Sequence, residues 1–238
     1  MAVKIWYLYH SGFAVETSRH FFIFDYWKMN PEKGGLEQGV ISSDEMQGKD
    51  VVFFASHRHA DHYSPRILNL KKSIPDSRFI LSDDIPPVDG AIMIGPGKSL
   101  NEQDFSLKTL ASTDAGVAFL LETDGFRIFH AGDLNWWHWE GEDETDNLKM
   151  AQDFQSQILL LSQTDIDLAF FPVDPRLGEN YILGIDYLMR NVHIKNVVPM
   201  HFANDISIGD KLLKNPLTES YREKIIVLLE RGSAADLV

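Results

Sequence analysis

Residues 51–64 read VVFFASHRHADHYS. The first four, Val51 to Phe54, are β-branched or aromatic and predict a buried strand. Directly behind it stand four side chains that can hold a metal: His57, His59, Asp61 and His62. In an extended chain, residues two apart point to the same side, so His57 and His59 can meet one cation. Ser64-Pro65 reads as a helix N-cap followed by proline at the first helical position, so the chain must turn. Across that turn Asp61 and His62 can swing towards a second cation. Imidazole and carboxylate together suit a borderline divalent ion, zinc first.

Working outward, the chain alternates short apolar runs with turns. Val3 to Leu8, Phe13 to Glu16 and His20 to Asp25 predict strands upstream. Arg78 to Leu81, Ala91 to Ile94, Ser106 to Ala111, Val117 to Glu122 and Phe126 to Phe129 predict strands downstream, with Asp124-Gly125 as a hairpin turn. Pro65 to Lys72 predicts a short helix. Leu148, Ala151, Phe154, Ile158 and Leu161 mark one helical face, and Ile182, Ile185, Leu188, Met189 and Val192 another. Asp167 to Val173 and Asn196 to Met200 predict later strands, and Lys224 to Leu229 a final one. Three further acids and a histidine fall at strand ends: Asp25, Asp133, Asp174 and His201. Sites gather where strands empty into loops. Asp25 can hold a ligand histidine in one tautomer, or it can be a plain turn residue.

The segment His57-Arg58-His59-Ala60-Asp61-His62 has the form HxHxDH and resembles the signature of the metallo-β-lactamase fold superfamily of metallohydrolases. Asp25, Gly132-Asp133 and His201 extend the resemblance over most of the chain. It implies an α/β fold, a four-layer αββα sandwich, in a single domain over residues 1–238. It also implies one metal held by His57, His59 and a third histidine, and a second held by Asp61, His62 and His201, with Asp133 bridging. The third histidine belongs near Thr109 to Gly116, where this chain reads TLASTDAG. Asp114 is the candidate to replace it, with Ser112 and Thr113 as weaker neutral donors. His10 matches a position common in the branch that includes ascorbate-6-phosphate lactonase, and His130 a common neighbour of the site; both are expected beside the metals or in the pocket, His10 against a satisfied structural histidine, and His130 not as a ligand. His20, His138 and His193 have no motif support.

Composition bounds the function. The 238 residues carry a formal net charge of −13 and no cysteine. Such a chain repels polyanions, and no Lys/Arg cluster offsets that, so nucleic acid is not an expected partner. Thiolate ligands and disulfides are excluded. No apolar run is long enough to span a bilayer, and the N-terminus MAVKIWYLYHSGF lacks the features of a secretory signal, so a cytoplasmic protein acting on a small molecule is expected. The expected cofactor is one or two divalent ions, zinc or else manganese or iron. The expected chemistry is hydrolysis of a small ester, lactone, amide or phosphodiester by metal-activated water, with Asp61 orienting the water and taking its proton. The alternative is a metal- or ligand-binding regulatory protein without turnover. Asp174 and Arg176 are candidate substrate contacts, against an ion pair that only holds their loop. Trp136, Trp137 and Trp139 either wall a pocket or anchor a buried loop. Tyr26 to Gly48, with little periodicity, is either a lid or a surface excursion.

Overall fold

A computed structural model describes residues 3–31 and 33–237. The chain forms two compact units: Met1–Ile94 with Leu228–Val238, and Gly95–Val227. In chain order the strands are β1 (Val3–Tyr9), β2 (Gly12–Glu16), β3 (His20–Phe24), β4 (Asp50–Ala55), β5 (Arg78–Ser82), β6 (Ile92–Ile94), β7 (Ser99–Asn101), β8 (Phe105–Ala111), β9 (Val117–Thr123), β10 (Phe126–His130), β11 (Asp165–Pro172), β12 (His193–Met200) and β13 (Ala234–Leu237). The α-helices are α1 (Glu144–Leu159), α2 (Leu183–Asn191) and α3 (Ser207–Lys214).

The first unit is one seven-stranded sheet in the order β13-β1-β2-β3-β4-β5-β6. Its first hairpins are antiparallel, whereas β3, β4, β5 and β6 run parallel. The parallel strands are apolar on both faces: Phe21, Phe22, Ile23 and Phe24, and Val52, Phe53 and Phe54, are all buried. That explains why VVFF reads as a continuous run rather than an alternation. On one face Leu8, Ile23, Phe53, Phe79 and Leu81 join Leu36, Ile41, Met46 and Ile67 in a single core. Two of the positions that contribute, Leu36 and Met46, lie on short 3-10 turns inside the segment 26–48. This segment is therefore packed on the sheet, and Arg231 pins it further. The Arg231 guanidinium donates to the carbonyls of Leu8 (2.8 Å), Lys28 (2.5 Å), Asn30 and Gly39 (2.8 Å).

The second unit is a six-stranded sheet in the order β12-β11-β10-β9-β8-β7. The strands β7 to β10 form antiparallel pairs, and β10, β11 and β12 are parallel. Phe154 of α1 meets Phe171 of β11 and Tyr187 of α2, which joins both helices to the sheet. The buried stripe of α1 is Asn147, Ala151, Phe154 and Ile158. Leu148 was expected on that face but is 58% exposed. Asn147 occupies its place because its amide clasps the backbone N–H and carbonyl of Trp139, both at 3.1 Å.

Pro65–Lys72 is the short helix expected, of the 3-10 type. One other expectation needs correction. Lys224 to Leu229 is not a strand: Arg222–Lys224 is a 3-10 turn, and only an isolated bridge joins Ile225 to Val197. The last strand is β13, which pairs antiparallel with β1.

Candidate functional site

The donors of the first unit are placed by the ends of two parallel strands. Phe24 of β3 pairs with Phe54 of β4, which brings Asp25, next after Phe24, beside Ser56, two positions past Phe54. Ser56 donates its backbone N–H and its hydroxyl to the Asp25 carboxylate, both at 2.7 Å. Past β4 the chain turns tightly, with the N–H groups of His62 and Tyr63 both donating to the His59 carbonyl. The turn carries His62 back over Asp25, and Nδ1 lies 2.7 Å from Oδ2 with both side chains fully buried. An Asp25 carboxylate that accepts from Nδ1–H fixes the tautomer with the lone pair on Nε2. The His57 Nδ1 lies 3.0 Å from the Ser56 hydroxyl, which already donates to Asp25, so His57 is held in the same tautomer. The rings of His59 and His62 lie 4.5 and 4.1 Å from that of His57.

His10 completes this set. It sits between β1 and β2 at a positive φ of 59°, next to Tyr9 at 129°. Two such non-glycine residues in succession are strained, and the surrounding structure must hold them there. One tie is the Tyr7 hydroxyl, which accepts from the His10 N–H at 2.7 Å. His10 Nε2 lies 3.4 Å from Asp61 Oδ2. That contact first, with the charge of His62, outweighs burial and holds the Asp61 carboxyl well below the usual range. Each of His10, Asp61 and His62 offers a ligand atom, all within 4.8 Å of one another. Sequence reading placed His10 at the margin of the site; the strained corner after β1 brings it up to Asp61.

The second unit repeats the device. Asp174 follows β11 and His201 follows β12, again neighbouring parallel strands. His201, at φ 66°, places Nδ1 2.8 Å from Asp174 Oδ2 and Nε2 3.3 Å from Asp133 Oδ1. Asp174 is 1% exposed. Burial raises its pKa, but the contacts from His201 and Arg176 outweigh burial and leave it well below the ordinary value. Arg176 adds Nε and Nη2 bonds of 2.5–3.0 Å to the same carboxylate. The Asp174 carboxylate is thus shared between His201 and Arg176.

Asp133 follows β10 and Gly132, whose φ of 53° makes the turn. Its carbonyl accepts from Trp137 Nε1 at 2.9 Å, and Thr113 Oγ1 bonds the Asn135 carbonyl and N–H, at 2.7 and 3.0 Å. The loop bearing Asp133 is therefore held from both sides. Asp114 is exposed, and one of its carboxylate oxygens lies within 4.8 Å of one from Asp133. His130 is fully buried and accepts from the Gly132 N–H, turned into its own loop. Beside Asp133 and His201 a cavity of about 240 Å³ opens, with Trp137, Trp139, Met150 and Arg176 in its wall. Trp136 instead packs on Phe154 and Tyr187 and anchors the helices. The roles of Ser56 and Met150 were not foreseen, since a lone hydroxyl and a lone methionine carry no motif; Thr113, named as a weak metal donor, bonds Asn135.

No family model matches the chain. A UPF0173 metal-dependent hydrolase from Bacillus velezensis is 25% identical over 224 residues, covering 84% of this chain and 85% of that one. Igni18, a metallo hydrolase from the hyperthermophilic archaeon Ignicoccus hospitalis, superposes with a TM-score of 0.66 at 17% identity, over 100% of this chain and 99% of the other. The metallo-β-lactamase fold protein YhfI from Bacillus subtilis gives a TM-score of 0.63 at 10% identity, over 99% of both chains. The chain thus has the fold of these metallo-β-lactamase fold proteins, carries the HxHxDH segment, and is similar in sequence to proteins named as metal-dependent hydrolases.

Proposed function

We propose that the protein hydrolyses a small ester, lactone, amide or phosphodiester at a centre holding one or two divalent ions, zinc by preference. The proposed ligands are His57, His59, Asp61, His62, Asp133 and His201. The observation that carries the reading is the pair of buried carboxylate–histidine contacts, Asp25 to His62 and Asp174 to His201. Metal-ligating histidines need such a partner on the far nitrogen, which orients the ring and raises its basicity. The donor set is nitrogen and oxygen without sulfur, which fits zinc, manganese or iron(II). The name of the curated relative is that of a hydrolase, which argues against a regulatory protein without turnover.

A bound divalent ion supplies Lewis acidity that makes water a nucleophile near neutral pH. The chain's own groups do the rest. In this reading Asp61 orients the water and accepts its proton, and His10, 3.4 Å from Oδ2, holds that carboxylate in position. Asp25 and Asp174 keep His62 and His201 from turning. The cavity beside Asp133 and His201 holds part of the substrate. The protein is read as cytoplasmic, a proposal resting on its sequence; among the described residues no helix is long and apolar enough to cross a membrane.

The test is metal content by elemental analysis beside hydrolysis of ester, lactone, amide and phosphodiester panels. His62→Ala and His201→Ala are expected to lose at least one equivalent of metal while keeping the far-UV CD spectrum. Unchanged metal content in both folded variants would falsify the ligand assignment.

A further inference from the structure

The cavity of the second unit has two kinds of wall. Asp133 and His201 bring polar atoms; Trp137, Trp139 and Met150 bring apolar surface. The two indoles are parallel within 5°, with centroids 6.1 Å apart. Trp137 meets His201 edge-on at 5.4 Å, and the Arg176 guanidinium carbon lies 5.7 Å from the Trp139 ring. An aromatic strip therefore runs from His201 to Arg176.

Charge decides what suits that strip. A cation would be drawn to an indole face and to Asp114, but Arg176 already lies by Trp139, and a metal ion held by Asp133 and His201 would repel it as well. An anion would be drawn to a guanidinium, but Nε and Nη2 of Arg176 are bonded to Asp174. Asp114 in the wall also repels it. A neutral flat group meets neither obstacle, and it gains dispersion and burial against two indoles and a thioether. A void of roughly 150 Å³ already holds benzene, so a cavity of about 240 Å³ admits one substituted ring.

We propose that this cavity seats a neutral, monocyclic aromatic group of the substrate, and that Trp139 is a specificity-determining residue. The inference rests on the hydrolase reading above and narrows its substrate to a small aryl or arylmethyl ester, amide or lactone. Arg176 then excludes cations and buttresses Trp139 rather than receiving an anion.

The test reads binding without turnover. The full metal-loaded chain is titrated with phenylacetamide and cyclohexylacetamide, and with ring-substituted phenylacetamides bearing a carboxylate or an aminomethyl group. Indole Nε1–H resonances are followed by NMR and assigned with Trp→Phe variants. Phenylacetamide is expected to move the Trp137 and Trp139 signals and to bind about fivefold tighter than its saturated analogue. Neither charged analogue should bind tighter than phenylacetamide. Trp139→Leu should weaken phenylacetamide about fivefold, while Trp139→Phe keeps the preference for the flat ring. If Trp139→Leu does not fold, the wild-type titrations and Trp139→Phe decide. Equal affinity for the two neutral amides, tighter binding of a charged analogue, or unmoved Trp137 and Trp139 signals would overturn the proposal. Ester hydrolysis that persists without ring preference overturns this inference alone; ring binding without any hydrolysis overturns the hydrolase reading alone.

Discussion

Asp25 and Asp174 act alike, each at the end of one parallel strand beneath a histidine brought by the next. Both are buried with their oxygens on histidine and on Ser56 or Arg176. Asp25→Asn or Asp174→Asn keeps the shape but weakens the far-nitrogen partner. Metal affinity, measured by competition with a chelating dye, is expected to fall about 10–100-fold in each, with the fold intact. Full affinity in both variants would show that the histidines need no support. Asp114 gives a second residue-scale prediction. If its carboxylate stands in for the absent third histidine, Asp114→Ala weakens the second of two binding events in a zinc titration, and histidine at Ser112 or Thr113 strengthens it. A carboxylate in that position also shifts preference towards manganese or iron(II). Two equally tight zinc ions, indifferent to Asp114→Ala, would sink this assignment.

At the scale of elements, the segment 26–48 is where periodicity says least and the structure says most. Its apolar residues Leu36, Val40, Ile41 and Met46 are buried, and four carbonyls from Leu8 to Gly39 converge on one guanidinium. Burial lowers the pKa of Arg231 somewhat, as expected for a cation withdrawn from water. Arg231→Met removes charge-assisted bonds worth about 1.5–3 kcal/mol each before relaxation, so a net loss of about 2–4 kcal/mol is expected in urea unfolding. Limited proteolysis should then cut between Lys28 and Gly39. An unchanged midpoint and cleavage pattern would mean that the apolar residues hold the segment alone. In the second unit Phe154 ties α1 to β11 and α2, and Phe154→Ala should cost about 3–5 kcal/mol.

For the molecule as a whole, charge is the property that acts at a distance. At −13 it disfavours polyanions, and the substrate proposed here is neutral and small. A fluorescently labelled 20-nucleotide strand should show no anisotropy change with this protein at low salt. Micromolar, salt-dependent binding would reveal a basic surface and reopen the nucleic-acid reading.

Much of the fold was legible because local pattern and burial agree. β-branched and aromatic runs predicted β1 to β6, β8 to β12 and, within a few residues, their ends, since strands buried on both faces must be apolar throughout. The HxHxDH segment was legible for a similar reason: a turn behind a buried strand brings its donors together by local geometry alone. Other features depend on partners distant in sequence. The short strand β13 exists by pairing with β1, some 230 residues away, and nothing in Ala-Ala-Asp-Leu announces it. Asn147 displaces Leu148 from the core stripe because Trp139 supplies two backbone bonds. The contacts of Asp25 with His62 and of Asp174 with His201 turned on which strand lay beside that of each aspartate. So did the division of the tryptophans, with Trp136 on the helices and Trp137 and Trp139 on the cavity. Local sequence determines which residues can bind, bury or turn; parallel pairing between distant strands decides which of them meet.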